Sequence, residues 1–192
     1  MTGDHTIILA SGSPRRKELL AKAGIAFEAI ESGVNEASAI GESACEYAIR
    51  TARDKALAVS ARFPQRLVLA ADTVVECEGT IMGKPSDRRA ARTMLQMLAA
   101  RTHRVTTSFA LACGGAVVES DAVTSSVTFR ALGSDEIEAY LASGDSLDKA
   151  GAYGIQGIGG TFITRVEGPR DNVMGLPVDA VLAALRRWRA FE

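Results

Sequence analysis

Histidine, paired cysteine, long apolar runs and net charge are all scarce in this chain, and each shortage removes a class of function. The 192 residues hold two histidines, His5 and His103, with no His-Glu-x-x-His and no Cys-x-x-Cys, so little is available to build a zinc site. Three cysteines, Cys45, Cys77 and Cys113, cannot all pair with one another, and they read as small buried hydrophobes in a reducing, cytoplasmic setting. No run approaches the roughly 20 apolar residues of a membrane span. Met1–His5 has no basic segment leading into an apolar one, so no signal peptide is expected. With 22 Lys and Arg against 23 Asp and Glu, the net charge of -1 creates no broad field for nucleic acid or a membrane surface, and any positive site must be local. A serine-hydrolase elbow, Gly-x-Ser-x-Gly, is absent. Gly79-Thr-Ile-Met-Gly83-Lys84-Pro85 resembles a phosphate-binding Walker loop, but it is one residue short and has proline where the metal-binding hydroxyl belongs.

What is present starts with Leu9-Ala10-Ser11-Gly12-Ser13-Pro14-Arg15-Arg16, an apolar strand running through a Ser/Gly turn into a helix. Ser13 suits the N-cap and Pro14 the first helical position. Arg15 and Arg16 then fall in the first turn, where the helix dipole disfavours cations by roughly 0.3 to 1 kcal/mol each. A phosphate held by backbone N–H groups, the hydroxyls of Ser11 and Ser13 and two guanidiniums would turn that penalty into a binding site. Taken alone, the stretch is read more simply as a solvated basic turn.

The chain that follows alternates strands and helices. Thr6–Ala10, a helix ended by Gly24, and a strand over Ala26–Ile30 make a βαβ rhythm. Ser43-x-x-Glu46 is a capping box for a helix to about Ala61, whose stripe of Ala44, Ala48, Ala52 and Val59 includes an unexpected Lys55. A lysine on such a face either snorkels to water or points into a cleft. Leu67–Ala71 is a dense β-type run that brings Asp72 and Thr73 to or near its end before Val74 and Val75 continue. Ser86 or Asp87 caps the next helix, Gly114-Gly115 turns a hairpin, and Val123, Ser125, Val127 and Phe129 alternate as a separate half-buried strand. A helix from Ser134 to Gly144, an irregular glycine-rich loop over 148–160, a strand over Thr161–Val166 and a closing helix after Pro177 complete the chain.

A dispersed polar set remains: Arg15, Arg16, Lys55 and Lys84 as cations, Glu36 and Asp72 as carboxylates, and the glycine-rich loop with Gln156 and Tyr153, the last read singly as a core aromatic. Cleaving a nucleoside triphosphate needs cations for the phosphates, carboxylates for a hard divalent ion, and a base or metal to activate water. These are the parts present.

The motifs at 9–16, Ala-Asp-Thr-Val-Val (71–75), Gly-Lys-Pro (83–85), Arg-Thr-His-Arg-Val (101–105), Asp-Lys-Ala-Gly-Ala-Tyr-Gly-Ile-Gln-Gly (148–157) and Gly-Leu-Pro (175–177) resemble the Maf family in order and spacing, nearly end to end. The resemblance implies one Maf-like domain over 1–192 and an α/β fold: a mixed twisted sheet with flanking helices, in two lobes around a central cleft, often as a homodimer. It also implies a house-cleaning hydrolase that splits pyrophosphate from nucleoside triphosphates with Mg²⁺ or Mn²⁺. Position by position, it makes Asp72 the general base and a metal-associated acid, with Glu36 as a second such acid. Ser11, Arg16, Lys55 and Lys84 become triphosphate-binding residues, and Arg15, Thr73 and Gln156 govern the choice of base. Tyr153-Gly-Ile-Gln156 is similar to the branch acting on dTTP and UTP, since an amide suits a neutral pyrimidine edge, whereas the 7-methyl-GTP branch tends to have an acid near that place. Two alternatives are a 7-methyl-GTP enzyme and a nucleotide-sensing regulator of septum formation without turnover.

Overall fold

In the computed structural model, which describes residues 6–36 and 41–189, the first apolar run is a short strand, β1 (Ile7–Leu9), that leads into α1 (Pro14–Lys22) and returns as β2 (Phe27–Ala29). Met1–His5, the basis for expecting no signal peptide, lies outside the described residues. β1 pairs in parallel with β2 and with β3 (Val68–Cys77). Gly24, at φ 72°, stops α1 in the left-handed conformation that glycine adopts without a Cβ penalty. Between β2 and β3 runs α2 (Ala44–Ser60), opened by the expected capping box, with the Ser43 hydroxyl accepting from the Glu46 N–H and the Glu46 carboxylate accepting from the Ser43 N–H.

After β3 come β4 (Thr80–Met82), α3 (Arg88–Leu98), β5 (Thr102–Cys113), β6 (Ala116–Phe129), α4 (Ser134–Ala142), β7 (Ile163–Glu167), α5 (Arg170–Met174) and α6 (Val178–Arg189). The strands form a mixed sheet in the order β2-β1-β3-β5-β6-β7, with β4 and β7 antiparallel to β3 and β6. Asp87 caps α3 by accepting from the Ala90 N–H at 2.7 Å. The chain forms two compact units: one holds the described residues up to Asp72, Thr107–Val123 and those from Gly175 onward, and the other holds Thr73–Thr106 and Thr124–Met174. Among the described residues, no helix is long and apolar enough to cross a membrane.

The first unit's core is built of small side chains. Ala52, Ala56 and Val59 of α2 meet Ile8, Ala10, Val68, Ala70, Ala110 and Ala112 of the sheet. Alanine facing alanine lets the helix backbone approach the strands closely. The second unit is filled by larger groups. Met82, Leu95, Leu98, Ile137 and Leu141 surround an edge-to-face chain in which Phe129 contacts His103, Tyr153 and Phe162, and Phe162 contacts Tyr140.

Several expectations need correction. Asp72 is in mid-strand and not at or near a strand end: the continuation at Val74 and Val75, whose branched side chains suit a buried strand, belongs to the same ten-residue β3 and carries it on to Cys77. Val123–Phe129 is not a separate strand but the second half of a 14-residue β6, because the polar Glu119–Asp121 stretch interrupts the apolar pattern without interrupting the strand. Ser13 occupies the N-cap position but makes no side-chain cap; its own N–H donates to Ser11 Oγ at 3.2 Å. Of the cysteines, all free, only Cys77 is buried; Cys45 is exposed on the first turn of α2 and Cys113 is half-buried.

Two outcomes test this account of stability. Ser43→Ala removes the cap of α2 and should cost about 1 kcal/mol in urea unfolding at pH 7. Burial of His103 holds its pKa down, to about 4. The unfolded chain therefore binds a proton that the folded one refuses between about pH 6.5 and 4, a contribution of about 3 kcal/mol that is present above this window and lost as pH falls through it. Urea stability measured against pH should fall less steeply across that window in His103→Gln than in the parent.

Candidate active site

The candidate polar residues of the first unit are Arg15 and Arg16 on α1, Lys55 on α2 and Asp72 on β3, with Ser11 from the turn after β1 and Glu36 from the loop after β2. Lys55 is carried on the alanine face of α2, and Asp72 sits on a β3 segment buried on both sides, so each is forced inward by the apolar residues around it. They meet directly: Lys55 Nζ donates to Asp72 Oδ1 at 2.7 Å, with the two side chains 7% and 6% exposed. The same ammonium lies 2.8 Å from Glu36 Oε1, which reaches in from the loop after β2 and keeps 41% of its side chain exposed. Tyr47, two turns before Lys55 on α2, donates its hydroxyl to the Glu36 carbonyl at 2.8 Å and fixes that loop.

Arg16, half-buried in the first turn of α1, is aimed by two neutral oxygens. Its Nε donates to the Gly175 carbonyl at 2.8 Å and its Nη1 to Ser11 Oγ at 3.2 Å. Ser11 Oγ thus accepts from Arg16 and from the Ser13 N–H, and the hydroxyl keeps one proton to donate. Arg15 lies close enough to act on Arg16 electrostatically.

Burial and charge pull against each other here. Burial raises the Asp72 pKa above the ordinary carboxylate value, Lys55 and Arg16 oppose the rise, and Glu36 adds to it. Burial lowers the Arg16 pKa, while Asp72 and Glu36 counter the loss. Tyr47 is also pushed up, first by burial and then by the same two carboxylates.

The sequence-derived site residues fall into two groups. Ser11, Arg15, Arg16, Glu36, Lys55 and Asp72 belong to the first unit, and Thr73, Lys84 and Gln156 to the second. Thr73 follows Asp72 on β3 and faces the opposite way by strand alternation. Lys84 and Gln156 are exposed, and a backbone bond of 3.1 Å from the Gly151 N–H to the Gly83 carbonyl ties their two loops together. Sequence reasoning missed Tyr47, although Tyr47, Thr51 and Lys55 stand at helical spacing on one face. It also missed the role of Gly175, because a backbone carbonyl has no side-chain signature.

Residues 6–188 match the family model described as Maf-like protein. The chain belongs to the Maf family. Maf relatives similar to it include the dTTP/UTP pyrophosphatase of Shigella sonnei, 46% identical over 97% of this chain and 95% of that protein. The dTTP/UTP pyrophosphatase of Myxococcus xanthus is 47% identical over 99% of this chain and 100% of that protein. That of Chromobacterium violaceum is 46% identical over 92% of this chain and 91% of that protein.

Removing the shared cation of this Maf chain should expose its electrostatic role. Lys55→Met leaves two neighbouring carboxylates, one of them buried, and should cost about 3 kcal/mol at pH 7. Asp72, already raised, rises further without Lys55, so the deficit should shrink as pH falls and the carboxylates take up protons. Denaturant unfolding of both proteins at several pH values between 7 and 5 checks the size and the sign.

Proposed function

We propose that this chain is a nucleoside triphosphate pyrophosphatase that hydrolyses dTTP and UTP to the nucleoside monophosphate and pyrophosphate. The observation that carries the reading is the Lys55 ammonium shared by Glu36 and Asp72, beside Arg16 and Ser11, in a chain about 46% identical to curated dTTP/UTP pyrophosphatases. A pure phosphate binder has no use for acids beside its anion unless a metal bridges them. A hydrolase does.

Asp72 is the proposed base. Burial raises its affinity for a proton above that of a solvated carboxylate, while Lys55 and Arg16 favour its ionised form. It takes a proton from water as that water's oxygen bonds to the α-phosphorus; the bond to the bridging oxygen breaks, and pyrophosphate leaves with the electron pair. Arg16 and Lys55 neutralise phosphate charge, and the free Ser11 proton donates to a phosphate oxygen. Lys84 as a further phosphate cation, and Arg15, Thr73 and Gln156 as residues that choose the base, rest on the family resemblance.

Glu36 and Asp72 also fit a hard divalent cation such as Mg²⁺ or Mn²⁺. They already bring two carboxylate oxygens to a single positive charge. Among the described residues no three His, Cys, Asp or Glu group together, so an ion held here would need water and phosphate oxygens for the rest of its shell. When bound there, such an ion supplies charge neutralisation and polarises phosphoryl oxygens.

Asp72→Asn keeps the shape of the side chain and removes the base. With its circular dichroism unchanged, it should release pyrophosphate from dTTP slower by about 10³-fold. Near-parental turnover removes Asp72 as the base. Orthophosphate with dTDP as products places the cut at the β–γ bond instead, and nucleotide binding without any product favours a sensor.

A further inference from the structure

The loop that carries Gln156 is poor in regular structure. It consists of two short 3₁₀ turns, Ala150–Ala152 and Ile158–Phe162, joined by a glycine-rich stretch. Such a loop has much conformational freedom to lose, and a side chain that reads a base edge must be held within a fraction of an ångström. Its fastening is therefore part of recognition.

Three fasteners precede Gln156. Lys149 Nζ donates to the Asp145 carbonyl at 2.6 Å and to the carboxylates of Asp145 and Asp148 at 3.0 and 2.6 Å. The Gly151 N–H is bound to Gly83, and at φ 68° a side chain there would be strained and would press on Val75. Nearest to Gln156 stands Tyr153, 5% exposed, with its hydroxyl 2.7 Å from His103 Nε2 on β5.

His103 is an expensive choice for that place. It is 1% exposed, packs edge-on against Phe129, and its Nδ1 has no hydrogen-bond partner among the described residues. A phenylalanine would offer a similar apolar edge without the orphaned nitrogen. The polar contact its ring makes is with the Tyr153 hydroxyl.

We propose that His103 and Tyr153 are positioning residues whose hydrogen bond pins the loop three residues before Gln156, and so sets discrimination between nucleobases. Both are buried, so neither reaches substrate; they act through Gln156. The proposal rests on the reading of Gln156 as a base-recognition residue, and the experiment separates the two.

Tyr153→Phe removes the hydroxyl and keeps the ring. Steady-state kcat/KM for dTTP and for GTP is measured in the parent, Tyr153→Phe, Gln156→Ala and the double variant, with hydrogen exchange followed across Gly154–Gly157. His103→Phe, which removes the other partner, is the second route should the first variant fold poorly. The dTTP-to-GTP ratio should fall about tenfold in each single variant, chiefly through KM for dTTP, and the exchange should quicken in Tyr153→Phe. In the Gln156→Ala background, loss of the hydroxyl should change the ratio less than about twofold.

Gln156→Ala lowering the ratio while Tyr153→Phe and His103→Phe leave it unchanged overturns the pin and keeps the reading of Gln156. Independent, multiplicative losses in the double variant overturn it too, since the hydroxyl then acts by another route. A ratio unaffected by Gln156→Ala removes the reading of that residue, and the proposal falls with it.

Discussion

A lysine ammonium held between two carboxylates is the contact on which the first unit depends. Burying either member of the Lys55–Asp72 pair alone would cost several kcal/mol. Together, at 2.7 Å, they offset much of that cost, and Glu36 adds a second acceptor that still touches water. The small residues of α2 make the contact possible: alanines at 52 and 56 against alanines of the sheet bring the helix close enough for the Lys55 stem to reach β3. Larger side chains would lift the helix and strand the acid. Asp72 is left almost without water, which is why its proton affinity rises even with two cations nearby.

The second unit solves a different problem with different material. Rings and long aliphatic chains surround Phe129, and around this filling the chain supports two exposed loops bearing Lys84 and Gln156. Rigidity there comes from a few side chains acting at irregular backbone, whereas in the first unit regular elements carry the polar groups directly.

Features decided within a few residues were legible in the sequence. The Ser43–Glu46 box, the Gly24 stop and the position of Pro14 depend on backbone groups one turn away, and each forms as its pattern suggests. Lys55 was legible as a misfit on an alanine stripe. The depth of Asp72 was not: the polar Asp72-Thr73 pair looks like the end of an apolar run, and only partners distant in sequence, Lys55 and Arg16, make a charge tolerable in mid-strand. Ser13 shows that even a local pattern can mislead: it holds the cap position, but its hydroxyl makes no cap and its N–H donates to Ser11 instead. The contact between Tyr47 and the Glu36 carbonyl, and that between Arg16 and the Gly175 carbonyl, join helices to irregular backbone with no period to read.

The chain passes between its two units four times, at Asp72, Thr106, Val123 and Met174, and this orders events on the ribosome. Every residue of the second unit has been synthesised once Met174 emerges, whereas the first unit, although it begins the chain, still lacks α6 with its buried Val181, Ala184 and Leu185. Arg16 waits as well, because the carbonyl that orients it belongs to Gly175. The unit made first is thus completed after the second, and a nascent chain cut short before Gly175 holds Arg16 without the carbonyl that orients it.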